Sequence, residues 1–297
     1  MPELPEVETV VRDLRHQVMG RIISGIVVRE SCQKNILKTT PMELYQGVIN
    51  ESILTVLRRG KYIIMPLSNN NVLVVHLGMT GSILIQEPPD LDFEERLEAD
   101  AYIAKHTHVV MELIDPEDEE ENDLDLHFND PRMFGKIWLV HDVQDINKLD
   151  VPGLRDLGPD ALGISLSQFE TIMKSRRTVK SALLDQSKIA GVGNIYADEA
   201  CFAAGIHPAR KGASLDTAEL ANLWFAVKTV LKLGIKYRGS STSDYVSTDG
   251  SKGSFQDHHR VYGKTGEKCD TCATPIERIK VAGRSTHFCP DCQKEGE

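Results

Sequence analysis

At 297 residues the chain is too long for one comfortable hydrophobic core, which implies two or three domains. Its 44 acidic and 34 basic residues leave a net charge of −10, which taken alone argues against a partner as anionic as nucleic acid. With 41% hydrophobic and 26% charged residues it reads as an ordinary globular chain, and no stretch approaches the roughly 20 apolar residues of a membrane helix. The opening MPELPEVETVVRD has no basic region followed by an apolar core, so it is not a signal peptide. Six cysteines are too few for a disulfide scaffold of this length. Together these features point to a cytoplasmic protein.

The charge is unevenly distributed. Residues Glu87–Asp125 hold 16 acidic and two basic side chains (Arg96 and Lys105), a local net of −14. The remainder holds 28 acidic and 32 basic residues, a net of +4. The run from Asp115 to Asp123 repels itself and reads as a solvated loop between strands. Set aside, it removes the objection to a nucleic-acid partner.

In chain order, Val7, Val10, Val11, Leu14 and Val18 recur at helical spacing up to Gly20, predicting a first amphipathic helix. Short β-branched runs follow at Ile22–Val28, Ser52–Leu57, Tyr62–Pro66, Val72–Leu77, Ser82–Ile85, Val109–Ile114 and Lys136–Val140. Gly, Pro and Asn punctuate them, as in an antiparallel sandwich or barrel. The PGLRDLGPDALG stretch reads as a linker, after which helical patterns return. The clearest spans Thr217–Tyr237, with Leu220, Leu223, Trp224, Val227 and Leu231 on one stripe. Residues 239–255 are rich in Gly and Ser and read as a mobile loop. The expected division is 1–148 for an N-terminal catalytic domain, 149–160 for the linker, 161–256 for a helical domain and 257–297 for a zinc finger. The fold class is therefore α+β.

Cys269-x2-Cys272 and Cys289-x2-Cys292, sixteen residues apart, have the spacing of a four-cysteine zinc site. One structural zinc per chain is expected, since four thiolates leave no open coordination position. Cys32 and Cys201 remain as packing residues. Arg284, just before the second knuckle, suits a phosphate contact but is equally an ordinary solvated Arg on this spacing alone.

Pro2 follows the initiator Met, and removal of Met1 would expose a secondary amine at the head of a helix. Such an amine has a pKa of about 8, and attack on a carbonyl gives an iminium, a strong electron sink. Glu3 and Glu6 stand beside it and can shuttle protons. Pro and acids at a helix start also serve as ordinary capping residues, so these residues alone leave the choice open.

Five separated motifs resolve it by resemblance. MPELPEVETV, Arg58-Arg59-Gly60-Lys61-Tyr62, His76-Leu77-Gly78-Met79-Thr80-Gly81, Asp130-Pro131-Arg132-Met133-Phe134-Gly135 and Gly191-Val192-Gly193-Asn194-Ile195-Tyr196-Ala197 occur in order before the cysteine hairpin. The chain resembles the formamidopyrimidine-DNA glycosylase family over essentially its whole length. The resemblance implies an N-terminal helix on a β-sandwich, a helix–two-turn–helix domain and a zinc hairpin, with DNA in the cleft between. It implies a bacterial base-excision repair glycosylase and AP lyase acting as a monomer, with no membrane, on oxidised purines in damaged double-stranded DNA. Pro2 would be the nucleophile and Glu3 the acid/base residue, while Lys61, Asn194 and Arg284 would contact phosphates. Met79, Arg132 and Phe134 match the intercalating trio that fills the hole left by an extruded nucleotide. His106 and Lys180 match further DNA-contacting positions, and the 174–188 stretch supplies a positive patch. Tyr245 is the expected stacking residue of the 239–255 loop. Met133 departs from the pattern, standing where many relatives have a second arginine. Two readings compete: an endonuclease VIII-like enzyme preferring oxidised pyrimidines, and a non-catalytic zinc-ribbon DNA-binding protein.

Overall fold

A computed structural model describes residues 1–30, 34–89, 91, 95, 103–117 and 123–295. Cys32 and the centre of the acidic run, 118–122, lie outside the described residues. The chain forms two compact units. The first comprises residues 1–2, 6–155 and 240–253, and the second comprises 3–5, 156–239 and 254–297.

The first unit is built on α1 (Leu4–Val18) from Glu6 onward, which turns Val7, Val10, Val11, Leu14 and Val18 into its core. Burying each such side chain is worth roughly 1.5–3 kcal/mol over leaving it in water. Two four-stranded antiparallel sheets complete the sandwich. One runs β1-β6-β7-β5, with β1 Ile22–Val28, β5 Ser82–Gln86, β6 Thr107–Ile114 and β7 Leu124–Asn129. The other runs β2-β3-β4-β8, with β2 Leu57–Arg59, β3 Tyr62–Pro66, β4 Val72–His76 and β8 Lys136–Val140. Ile23, Ile63, Leu73, Ile83, Val109, Phe128 and Ile137 from both sheets meet in one apolar core.

Two elements differ from expectation. The Ser52–Leu57 run forms only isolated bridges at Ser52 and Ile53 before β2 begins. There the Arg15 guanidinium takes the Val56 carbonyl (Nε, 2.9 Å) that a neighbouring strand would otherwise pair. Helix α2 (Pro41–Val48) was not read from periodicity, yet it carries a full capping box in which Thr40 and Glu43 bond reciprocally, with Pro41 in its first turn.

The second unit is helical: α3 (Leu166–Met173), α4 (Val179–Leu184), α5 (Asn194–Ala203) and α6 (Thr217–Lys236). Leu220, Leu223, Val227 and Leu231 of α6 are buried as their stripe predicts, while Trp224 is half-buried and donates to the Ile164 carbonyl (2.9 Å). The last two strands, β9 (Glu277–Val281) and β10 (Arg284–Phe288), form the C-terminal hairpin. Among the described residues, no helix is long and apolar enough to cross a membrane.

Candidate nucleic-acid interface and zinc centre

In the first unit, Asp130 ties the candidate loops together. Its fully buried carboxylate accepts from the Gly135 amide (2.7 Å), the Arg132 amide (3.2 Å) and the Thr80 hydroxyl. Its own amide donates to the His106 carbonyl (2.9 Å), and its carbonyl lies 2.9 Å from His108 Nε2. Met79, His106, Arg132 and Phe134 are thereby carried on segments anchored to one residue. The 78 and 134–135 backbones touch so closely that a Cβ on Gly78, whose φ is +64°, would lie 2.6 Å from Gly135 N. Met79 and Phe134 stand 40% and 47% exposed, and the Arg132 guanidinium lies 4.9 Å from the Phe134 ring centroid. Met133 takes a left-handed φ of +55° and packs against the core, so it makes an apolar contact at this position.

Lys61 sits on the β2–β3 turn, largely buried, and its charge together with that of Lys136 faces His76. Burial first, and these two cations second, pull the His76 pKa down to about 4. The ring is therefore neutral near pH 7, and its Nδ1 accepts the Gly78 amide (3.0 Å), bracing the Met79 turn. Pro2 is buried at the head of α1, after an exposed Met1. While Met1 is attached, the Pro2 nitrogen is an amide and no nucleophile.

In the second unit, Glu3 is buried with its carboxylate against the N-terminus of α5. Glu3 Oε1 accepts from Ile195 N (3.0 Å) and Oε2 from Tyr196 N (3.4 Å), where the N-cap Gly193 offers no side chain of its own. First-turn amides of a helix have no intrahelical acceptor, and with the positive end of the helix dipole they suit an anion. The glycines of the Gly191–Ala197 motif make room: a Cβ on Gly193 would lie 2.1 Å from Glu3 Cδ, and one on Gly191 (φ +104°) would strike Leu4. Asn194 occupies the same first turn, and its side chain hydrogen-bonds Tyr262. Arg284 is exposed at the start of β10.

The four cysteine sulfurs lie within 4.8 Å of one another. Cys269 and Cys292 are 3.8 Å apart and Cys272 and Cys289 3.4 Å, too far for a disulfide of about 2.05 Å. A tetrahedron of about 2.3 Å zinc–sulfur bonds separates its corners by about 3.8 Å, so the donor set fits one zinc ion.

Comparison with known proteins places the whole chain. Residues 1–137 match the family model described as the formamidopyrimidine-DNA glycosylase N-terminal domain, 157–246 its H2TH domain, and 266–294 a zinc finger found in FPG and IleRS. The formamidopyrimidine-DNA glycosylase of Herpetosiphon aurantiacus is 42% identical over 297 residues, covering 99% of this chain and 100% of that protein. The chain belongs to the formamidopyrimidine-DNA glycosylase family. The crystal structure of MutM (Fpg) from Thermus thermophilus superposes with a TM-score of 0.81 at 38% identity, covering 100% of both chains. The Lactococcus lactis Fpg in complex with DNA containing an abasic site gives 0.83 at 33% identity, covering 98% of this chain and 99% of that one. The chain is thus a DNA glycosylase of base-excision repair, with a zinc finger held by Cys269, Cys272, Cys289 and Cys292.

Within this glycosylase two candidate residues sit differently from expectation. Lys180 is fully buried and paired with Asp198 (2.6 Å), and it also donates to the Ser285 carbonyl and the Thr286 hydroxyl. In this conformation the ammonium is committed to protein partners by one ion pair and two hydrogen bonds. The surrounding patch is weakened as well, since Arg177 pairs with Asp185. Tyr245 is packed into the apolar core of the first unit with its hydroxyl 3.4 Å from the Glu6 carbonyl, and burial raises its phenol pKa. In this conformation it anchors its loop and offers no stacking face. The 239–255 loop is irregular as expected, but Glu6 accepts the Ser240 amide (2.8 Å) and the Thr248 carbonyl accepts the Ile85 amide (2.8 Å). Sequence reasoning passed over Asp130, Asp198 and Glu199. Glu199 is buried and accepts the amides of Arg260, Val261 and Tyr262 (2.9, 3.0 and 2.8 Å), and burial pushes its carboxyl pKa up. Cys201 is buried, and burial pushes its thiol up as well.

Proposed function

We propose that the chain is a bifunctional glycosylase and AP lyase that removes oxidised purines, chiefly 8-oxoguanine opposite cytosine and formamidopyrimidines, from duplex DNA. The observation that carries this reading is the seating of the Glu3 carboxylate. The residue following Pro2 is fixed by two α5 amides and by the space that Gly193 leaves. A proton-transfer group held to one position beside the chain terminus is what an N-terminal amine nucleophile requires.

After loss of Met1, the Pro2 nitrogen attacks C1′ of the damaged nucleotide. The N-glycosidic bond breaks, and the base departs with the bonding pair and a proton. Glu3 delivers a proton to the ring oxygen as the sugar opens, leaving an iminium between Pro2 and C1′. Loss of a C2′ proton expels the 3′-phosphate, and a second elimination expels the 5′-phosphate. Lys61, Asn194 and Arg284 hold phosphates around the extruded nucleotide. Met79, Arg132 and Phe134 fill the gap in the stack, offsetting the few kcal/mol lost on unstacking. His106 adds a further contact to the strand. The enzyme acts as a cytoplasmic monomer.

Borohydride trapping on an 8-oxoguanine duplex tests this directly. Met-processed protein should form a covalent adduct, and Pro2→Gly should greatly weaken it. Undiminished trapping by Pro2→Gly would refute the nucleophile, and no adduct from the processed protein would end the lyase reading. A clear preference for thymine glycol over 8-oxoguanine duplexes would move the enzyme to the endonuclease VIII-like branch.

A further inference from the structure

Helix α5 organises more than its own first turn. That turn carries Asn194 and receives Glu3, while the next carries Asp198, whose carboxylate is completely buried. Asp198 Oδ2 accepts the His287 amide at 2.9 Å, and Oδ1 lies 2.6 Å from Lys180 Nζ of α4. Lys180 Nζ donates in turn to the Ser285 carbonyl (2.7 Å) and the Thr286 hydroxyl (2.9 Å). The Thr286 hydroxyl lies 3.1 Å from the Arg284 carbonyl. One ion pair and two hydrogen bonds therefore link α5 to the backbone of Arg284. Meanwhile β10 is held from its other side by its register with β9, Ser285 facing Lys280 and His287 facing Arg278.

A buried ion pair is weak evidence for stability, because matched apolar side chains often hold a fold as well or better. Such a pair does fix geometry, since each donor and acceptor accepts only one arrangement. Burial lowers the Lys180 pKa against the pull of Asp198, so the ammonium is carried at a cost in desolvation. The bonds of the pair converge on the three residues that follow Arg284, Ser285 and Thr286 from Lys180 and His287 from Asp198.

We propose that Lys180 and Asp198 are positioning residues that act on DNA through Arg284, locking the root of its side chain to the helix that carries Asn194. The proposal rests on Arg284 contacting a phosphate, as argued above, and its test separates the two.

The test is a double-mutant cycle on zinc-loaded, full-length protein, read as affinity for a duplex bearing a tetrahydrofuran abasic-site analogue across a salt series. Zinc content and Tm of every variant are measured alongside. Arg284→Ala should weaken binding about tenfold and lower the salt slope by about one. Asp198→Asn should produce a comparable loss and slope change alone, and less than about a further twofold loss in the Arg284→Ala background. A full Asp198→Asn loss persisting in that background, or a loss with the slope unchanged, overturns the proposal. If Arg284→Ala leaves affinity and slope unchanged, Arg284 is no phosphate ligand and the proposal falls with that assignment, while Pro2 trapping is unaffected. Should Asp198→Asn fail to fold, Thr286→Val removes only the hydroxyl beside the Arg284 carbonyl. It should cost about threefold by the same criteria, and additivity with Arg284→Ala would overturn the idea in the same way.

Discussion

In the first unit, the side chains suited to entering DNA are apolar and exposed: Met79 and Phe134 project from turns whose backbones touch. In the second unit, the side chains proposed to position a phosphate contact are charged and buried: Asp198 and Lys180 lie inside the protein, as does Glu199. Each arrangement inverts the usual partition of residues. In the proposed reading, exposed hydrophobics on braced turns would supply wedges between separated bases. Buried charges would, on the same reading, supply fixed geometry for groups that meet phosphates at set positions. The first device is local and braced by one carboxylate, Asp130, whereas the second joins residues more than a hundred positions apart. The two should therefore fail under different insults.

Zinc removal should divide them most sharply. A four-thiolate site contributes on the order of 10 kcal/mol of apparent binding free energy to the folded hairpin. Chelation should strip hydrogen-exchange protection from β9 and β10 and from the network that Lys180 makes with Ser285 and Thr286. Protection at Leu73, Val74 and Val75 in β4 should persist. Uniform loss of protection across both units would show that the hairpin is not a separable support.

Acid should strike the first unit through its histidines. Burial pulls His127 down to about 4, and burial with two neighbouring cations does the same to His76. Both are neutral in the fold, but free to protonate on unfolding below about pH 6.5. Stability is thus unaffected above pH 6.5 and falls as pH drops towards 4, by about 3 kcal/mol for each histidine at full effect. The two tryptophans make this measurable, because Trp138 lies in the first unit and Trp224 in the second. In a Trp224→Phe background, urea titrations followed at Trp138 should show this decline, and His127→Leu should flatten part of it. A curve flat between pH 6.5 and 4.5 would contradict the assignment of neutral, buried rings.

Much of the sandwich was legible because its strands alternate or run apolar: β1, β3 and β8 fall on the stretches marked by β-branched residues. Strand β7 was hidden because Asp125 and His127 are buried within it, which erases the contrast that periodicity detects. The zinc ligands were legible because spacing alone constrains them. Lys180 and Tyr245 lie buried where exposed contacts were expected, for a shared reason. A residue type and a motif position do not reveal whether partners distant in sequence already satisfy the side chain. Lys180 meets Ser285 across 105 positions, and Glu3 meets Ile195 across 192. A signal for Asp198 and Glu199 did exist: they interrupt IYADEACF, a segment otherwise apolar on every side and buried from end to end.

The smallest stability effect should come from Met79, and it isolates wedge from scaffold. Its side chain is 40% exposed, and an exposed truncation away from caps and cores usually changes stability by less than about 0.5 kcal/mol. Its backbone position depends on the Gly78 amide bonding His76 and on the Gly78–Gly135 approach, and Met79→Ala leaves both intact. The Tm should therefore hold while excision of a paired lesion slows several-fold, since the space left by the extruded base is less well filled. On single-stranded or mismatched DNA, where stacking opposes extrusion less, the same variant should lose less. An equal loss on paired and mismatched DNA would mean that Met79 supports the loop and does not act as a wedge. The first unit's contact surface would then resemble the second's, a scaffold for positioned groups.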